Sequence, residues 1–383
     1  MPTALTELSA HPIVQAPMAG GASCPELAAA VGAAGGLGFL AAGYKTADGM
    51  RQEIERLRGM TGRPFGVNLF MPQPALAEDA AVDVYRERLA GEADRYGTTL
   101  GDPRGATDDD YEAKLALLRE NPVPVVSFTF GSPTAETVDS LTRVGTCTVV
   151  TVTTAAEARD AQEAGADAVC VQGTEAGGHQ GTHRDDPQRD GNGAGVGLLT
   201  LIAEVREAVR LPVIAAGGLM RGAQIAAVLA AGAVAAQLGT AFLACPESGA
   251  HPLHKQALTD PLYARTELTR AFSGRPARGL ANRFLREHGP YAPAAYPALH
   301  HLTSPLRKAA AQAGDPQAMS LWAGQGHRLA RQLPAAELVA VLAAELAAAR
   351  APSTPVASAP APSNPAASPP AGTAGPGPFG SAS

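Results

Sequence analysis

Short apolar runs alternate along this chain with longer stretches in which apolar residues recur at helical spacing, and three of the runs near the middle break into glycine at the same point. They are Asp167-Ala-Val-Cys-Val-Gln-Gly173, Pro212-Val-Ile-Ala-Ala-Gly-Gly218 and Val234-Ala-Ala-Gln-Leu-Gly-Thr240. Each reads as a buried strand whose C-terminal end opens into a loop where backbone can approach a ligand closely, because glycine has no Cβ. Helical patterns over 198–210 and 221–231 separate them, which predicts parallel strands with converging C-terminal ends. The same alternation runs upstream. A first strand, His11-Pro-Ile-Val-Gln-Ala-Pro17, is followed by Met18-Ala-Gly-Gly21 and a helix entered at Ser23-Cys24-Pro25, where the proline gives up an amide that has no partner in a first turn. Strands are predicted at 36–43, 65–70, 123–131 and 147–153, with helices at 50–57, 135–141 and 155–164. About eight strand and helix units close a barrel, so the fold class is α/β, a (β/α)8 TIM-type barrel over 1–246.

Two segments break the pattern. Residues 71–110 carry Pro72 and Pro74, a helical piece near 82–96 and the acidic turn Asp108-Asp109-Asp110. They read as an insertion after the third strand, either a lid over the catalytic end or a surface excursion with no role. Residues 247–350 show no convincing strand and read as closing helices with a helical extension, ending in the Ala- and Leu-rich run 335–350. Beyond them, 351–383 is a charge-free Pro/Ala/Ser/Gly/Thr segment, too poor in apolar surface to offset the entropy of ordering it, and is expected to be a disordered tail.

Composition narrows the function. The 383 residues are 45% hydrophobic but only 4% aromatic, an interior of Ala, Val, Leu and Ile that suits helices packed on a parallel sheet. A net charge of −6 and a pI near 5.9 argue against nucleic acid or an anionic membrane as partner. The four cysteines are widely spaced with no CxxC pair, consistent with reduced thiols, and no apolar run reaches the ~18 residues of a membrane span. The chain therefore reads as cytoplasmic, and a homo-oligomer is left open.

Chemistry concentrates at the strand ends. In Glu175-Ala-Gly-Gly-His179-Gln-Gly181 a histidine stands between glycine turns after a core strand, where it can serve as a general acid or base, or as a cation for an anionic substrate. Asn68, Gln172 and Gln237 are amides in otherwise apolar runs. A heterocycle with alternating donors and acceptors would satisfy them, and so would neighbouring loop backbone. Gly217, Gly218, Gly239 and Thr240 offer N–H groups and a hydroxyl suited to one phosphate, since no Walker sequence and no GxGxxG in dinucleotide context is present. His179 and His183 are four apart, but in a glycine-rich loop without paired cysteine or carboxylate ligands, so no metal site is expected.

Together, Gln15-Ala-Pro-Met-Ala-Gly-Gly21, the strand around Asn68, Val171-Gln-Gly-Thr-Glu-Ala-Gly-Gly-His-Gln-Gly181, Ala215-Ala-Gly-Gly218 and Gln237-Leu-Gly-Thr-Ala-Phe-Leu243 resemble the nitronate monooxygenases, formerly 2-nitropropane dioxygenases. Ser273-Gly-Arg-Pro-Ala-Arg-Gly-Leu-Ala-Asn-Arg-Phe284 and Leu321-Trp-Ala-Gly-Gln325 are similar to the bacterial class I branch. The resemblance implies a barrel holding FMN non-covalently, with no metal. By position, Pro17, Met18, Ala19 and Gly20 would pass beneath the flavin ring. Asn68, Gln172, Gly177, Gly178, Gly217, Gly218, Gln237, Leu238, Gly239 and Thr240 would contact FMN, and His179 would be the active-site histidine. Tyr291, Tyr296 and Lys308 fall in the region that shapes the substrate pocket in such proteins, and Thr129 stands where some relatives carry a second histidine. The implied reaction is oxidation of an alkyl nitronate, or the nitroalkane it comes from, by O2 to a carbonyl compound and nitrite through a flavin semiquinone. The alternatives are an NADH-dependent quinone or enoyl reductase on the same barrel and a flavin-binding protein without this activity.

Overall fold

A computed structural model describes residues 7–73, 80–105, 108–185 and 195–351. Eight parallel strands form the barrel: β1 (Ile13–Gln15), β2 (Gly38–Ala41), β3 (Phe65–Phe70), β4 (Val125–Thr129), β5 (Cys147–Val152), β6 (Ala168–Gln172), β8 (Val213–Ala216) and β9 (Ala235–Leu238). Their order in the sheet is β1-β9-β8-β6-β5-β4-β3-β2. The two ends meet at a parallel bridge between Val14 and Leu37, with Gln15 N–H donating to Leu37 O at 2.9 Å, which nearly closes the cylinder.

Side chains alternate about the strands as the pleat requires. Val14, Phe39, Val149, Cys170 and Ile214 fill the interior as one cluster, while Ile13, Leu40, Val150, Val169 and Val213 pack outward against the helices in another. Two glycines make this packing fit. A Cβ on Gly38 would lie 2.4 Å from the Ala28 carbonyl oxygen, so the helix Pro25–Ala33 rests directly on β2. A Cβ on Gly66 would sit 2.2 Å from the Phe39 ring, which takes up that space inside the barrel. Thr46, Thr134 and Thr154 cap helices by accepting from Gly49, Thr137 and Glu157 N–H groups.

The region 247–350 is not purely helical. β10 (Thr266–Thr269) and β11 (Ala277–Leu280) form an antiparallel pair, and β11 also pairs with the two-residue β7 (Gly178–His179), placing Ala277 opposite His179. The sequence hid these strands because Thr-Glu-Leu-Thr and Ala-Arg-Gly-Leu are short and carry charges. Their place is set by packing on the histidine loop rather than by an apolar run.

The described part of the insertion packs on this same region. Val82, Tyr85, Leu89 and Ala93 share a second hydrophobic core with Phe272, Phe284, Leu299 and Leu306. The Tyr85 hydroxyl donates to Ala271 O at 2.8 Å, and Gly101 N–H donates to Leu302 O at 2.9 Å on the helix Ala298–Gln312. At its far end, Asp109 accepts from Tyr44 N–H at 2.8 Å and pairs with Lys114. The insertion is therefore a fixed brace for the C-terminal helices. The chain divides into two units, Met1–Arg350 and Ala351–Ser383, and the tail expectation lies, past residue 351, outside the described residues. Among the described residues no helix is long and apolar enough to cross a membrane.

Candidate active site

The C-terminal strand ends open into a cavity of about 350 Å³. Pro17, Met18, Ala19 and Gly20 line it after β1, Asn68 from β3, Gln172 at the end of β6, and Gly177, Gly178 and His179 on the loop beyond. Gly217 and Gly218 line it after β8, with Gln237, Gly239 and Thr240 at the end of β9. Leu238 does not. It is 1% exposed, and strand alternation turns its side chain outward into the core between barrel and helices while Gln237 faces inward.

The three amides are not equivalent. Gln172 is used by the loop, its Nε2 donating to His179 O at 3.2 Å and its Oε1 accepting from Gly181 N–H at 2.7 Å, so it fixes the histidine's backbone. Asn68 Nδ2 donates to Ser127 Oγ at 2.9 Å and Thr129 Oγ1 at 3.0 Å, leaving its carbonyl oxygen toward the cavity. Among the described residues Gln237 has only the weak contact of Nε2 with Cys170 Sγ at 3.3 Å. The glycine turns do offer unused donors: among the described residues, the N–H groups of Gly217, Gly218, Gly239 and Thr240 reach no acceptor. Gly217 and Gly218 have φ of 131° and 68°, the region that favours glycine. Gly177 is required for a different reason, since a Cβ there would meet Gly324 N at 2.4 Å.

His179 sits in a cage of rings, with Phe130, Tyr296 and Trp322 centroids 5.8, 5.6 and 5.6 Å away. Its Nε2 lies 2.8 Å from Ser273 Oγ. Ser273 is itself within 3.3 Å of the Arg275 carbonyl. A Ser273 hydroxyl that donates to that carbonyl accepts from His179 Nε2–H, the arrangement in which Nδ1 is the lone-pair nitrogen. Burial, with Arg275 and then Arg307 nearby, lowers the His179 pKa to about 3. The ring is therefore neutral near pH 7. Of the two roles open to it in the sequence, base and cation, this environment disfavours the cation.

Two arginines at the site are residues that sequence reasoning missed. Arg307 lines the cavity from the helix Ala298–Gln312, bonded to Thr303 Oγ1 at 3.1 Å and His300 O at 3.1 Å, with no carboxylate partner among the described residues. Burial lowers its pKa to about 10, which still leaves it charged at neutral pH. Arg275 is 2% exposed and ties together three loops, donating to Gln73 Oε1 at 2.8 Å and to the carbonyls of Gln180 and Thr182 while lying 4.2 Å over the Phe130 ring. Phe130 and Tyr44, both at strand ends, hold left-handed φ of 75° and 66°, a strain that non-glycine residues keep where the surroundings fix it. Of the three residues named by resemblance, Tyr296 stands beside His179, but Tyr291 is exposed under Arg88 and Lys308 is on the outer face, its neighbour Arg307 being the inward residue. His183 turns away to Thr151 O at 2.9 Å. Among the described residues, the one cluster with metal-ligand geometry is Glu92, Glu287 and His288, and Arg283 already holds both carboxylates there.

Residues 2–345 match the model of a family described as Nitronate monooxygenase. A Nitronate monooxygenase of Paraburkholderia phytofirmans is 43% identical over 344 residues, covering 88% of this chain and 92% of that protein. The crystal structure of a nitroalkane oxidase from Streptomyces ansochromogenes is 72% identical with a TM-score of 0.89, covering 91% of this chain and 99% of its own. FabK from Thermotoga maritima is a more distant likeness, 31% identical with a TM-score of 0.68 over 90% of this chain and 96% of its own. A family match over almost all of residues 1–350 and relatives at this identity establish that the chain belongs to the nitronate monooxygenase family.

Proposed function

We propose that the protein binds FMN in this cavity and oxidises alkyl nitronates with O2 to carbonyl compounds and nitrite. The observation that carries the reading is a cation lining the cavity, Arg307, that has no carboxylate partner among the described residues and shares that cavity with a neutral imidazole, His179. A buried charge without a partner is costly, so the ligand that belongs there supplies the negative charge, as a nitronate does.

The cavity also fits the cofactor. Four unused N–H groups at Gly217, Gly218, Gly239 and Thr240 suit a phosphate, the Asn68 carbonyl and Gln237 amide suit the polar edge of a heterocycle, and Pro17 to Gly20 line the cavity beside them without a charged side chain. Bound there, FMN would accept electrons from the nitronate and pass them to O2. The protein's own contribution is positioning and charge. Arg307 attracts and orients the anion. The aromatic cage of Phe130, Tyr296 and Trp322 limits water around His179. For a neutral nitroalkane, His179 Nδ1 takes the proton from the carbon bearing the nitro group, and Arg307 stabilises the charge that then develops on the nitro oxygens.

The test is the flavin itself. Heated protein should release FMN rather than FAD, and anaerobic propionate 3-nitronate should bleach the bound flavin while NADH leaves it oxidised. The likeness to FabK makes NADH the second arm. Bleaching by NADH alone, or protein that cannot be loaded with FMN, overturns the proposal.

A further inference from the structure

The cavity holds a second imidazole, on the C-terminal wall. His300 lines it from the helix Ala298–Gln312, seven residues before Arg307 on the same helix. Its ring is stacked on Tyr44 at 3.8 Å with an interplanar angle of 6°, and His301 meets it edge-on at 5.6 Å. Tyr44 is fixed in turn: Asp109 accepts from its N–H at 2.8 Å, and its hydroxyl accepts from Tyr296 at 3.2 Å. The ring plane of His300 is thus set by the β2 strand end and the inserted brace, not by the helix alone.

Arg307 sets the proton. Its Nη2 faces His300 Nδ1 at 3.4 Å, and a guanidinium can only donate, so Nδ1 is the lone-pair nitrogen and the neutral ring carries its hydrogen on Nε2. Nε2 has no hydrogen-bond partner among the described residues, nor is it among the buried atoms left without one, which leaves it open to the cavity. Burial first, then the Arg307 charge, holds the ring neutral by lowering its pKa to about 2.

We infer that His300 is a substrate-contacting residue that donates Nε2–H to a nitro or nitronate oxygen, with Arg307 beside it, while His179 on the opposite loop accepts. The two imidazoles then have opposite polarity: one takes the carbon-bound proton, and the other holds the oxygens on which the resulting charge appears. The inference rests on the proposed nitronate chemistry and adds a residue that pattern alone does not reveal, because His300-His301 in sequence looks like a surface pair.

His300→Phe keeps an aromatic ring for Tyr44 to stack on and removes the donor. His300→Gln restores an N–H in a similar place. Both should load FMN as the wild type does. Nitrate, a planar anion with oxygens placed as in a nitronate, serves as an inert probe through its perturbation of the flavin spectrum. The Phe variant should bind nitrate roughly tenfold to a hundredfold more weakly and lose a similar factor in kcat/KM for ethylnitronate, the range of one hydrogen bond to a charged group, and the Gln variant should recover much of both. Nitrate affinity and kcat/KM unchanged in the Phe variant would overturn the assignment, as would equal losses in both variants with the flavin still bound. A wild-type enzyme that does not turn over nitronate at all would instead sink the proposed function, so the two failures are distinguishable.

Discussion

At the scale of single residues, the proposed reading separates proton transfer from charge stabilisation. His179 is neutral in a ring cage, and Arg307 carries the charge. His179→Asn should keep FMN, because the phosphate and ring contacts come from other strand ends, and should lower activity on neutral nitroalkane about a hundredfold more than on the pre-formed nitronate. Steady-state assays on nitroethane and ethylnitronate separate the outcomes, and equal small losses on both would reduce His179 to a packing role. Three buried imidazoles also tie stability to acid. His179, His254 and His300 fall from 6.5 to about 3, 4 and 2, burial being the largest cause in each. Below pH 6.5 the unfolded chain therefore takes up protons that the folded one refuses, and stability present above 6.5 is lost as pH falls, with a slope of up to ~1.4 kcal/mol per pH unit for each histidine. Thermal melts from pH 8 to 5 should show Tm level above about 7 and declining below; a level Tm down to pH 5 would mean these rings are protonated in the fold.

At the scale of elements, glycines fix how closely helix and strand approach. Gly38→Ala pushes a methyl into the Ala28 backbone, which cannot yield as a side chain would, and should cost about 1–3 kcal/mol, read as a lower midpoint in urea. The barrel strands were legible because each is an apolar run stopped by glycine, and the histidine loop was legible because glycine surrounds it. β10 and β11 were not, since their order comes from pairing with Gly178 and His179, a contact made across about a hundred residues of chain that no local pattern records. Arg275, Arg307 and His300 were hidden for a related reason. A charged or polar residue on an amphipathic stretch reads as surface until tertiary packing shows which way it faces. Leu238 is the converse case, a residue inside the motif whose side chain the strand's alternation turns away from the cavity.

For the whole molecule, three hydrophobic clusters divide the labour. Two build the barrel, inside the sheet and between sheet and helices, and the third joins the insertion to the C-terminal region that carries Arg307, His300 and Trp322. The catalytic mouth is thus assembled between a scaffold and a wall with separate packing. The segment past Arg350 is charge-free, and its composition gives it little to dock with. Deleting residues 351–383 should leave flavin content and turnover within error. A large loss of soluble, flavin-loaded protein would show that the tail contributes to the folded body.

The charge on Arg307 reaches beyond catalysis. A cavity cation without a carboxylate partner among the described residues makes the empty protein less stable than the filled one, so by mass action an anion that occupies the cavity stabilises the native chain. On the proposed reading, the charge that attracts the substrate thereby couples the enzyme's persistence to its supply. A cell meeting nitronates would hold a tougher enzyme than a cell without them, with no change in synthesis and no separate regulator.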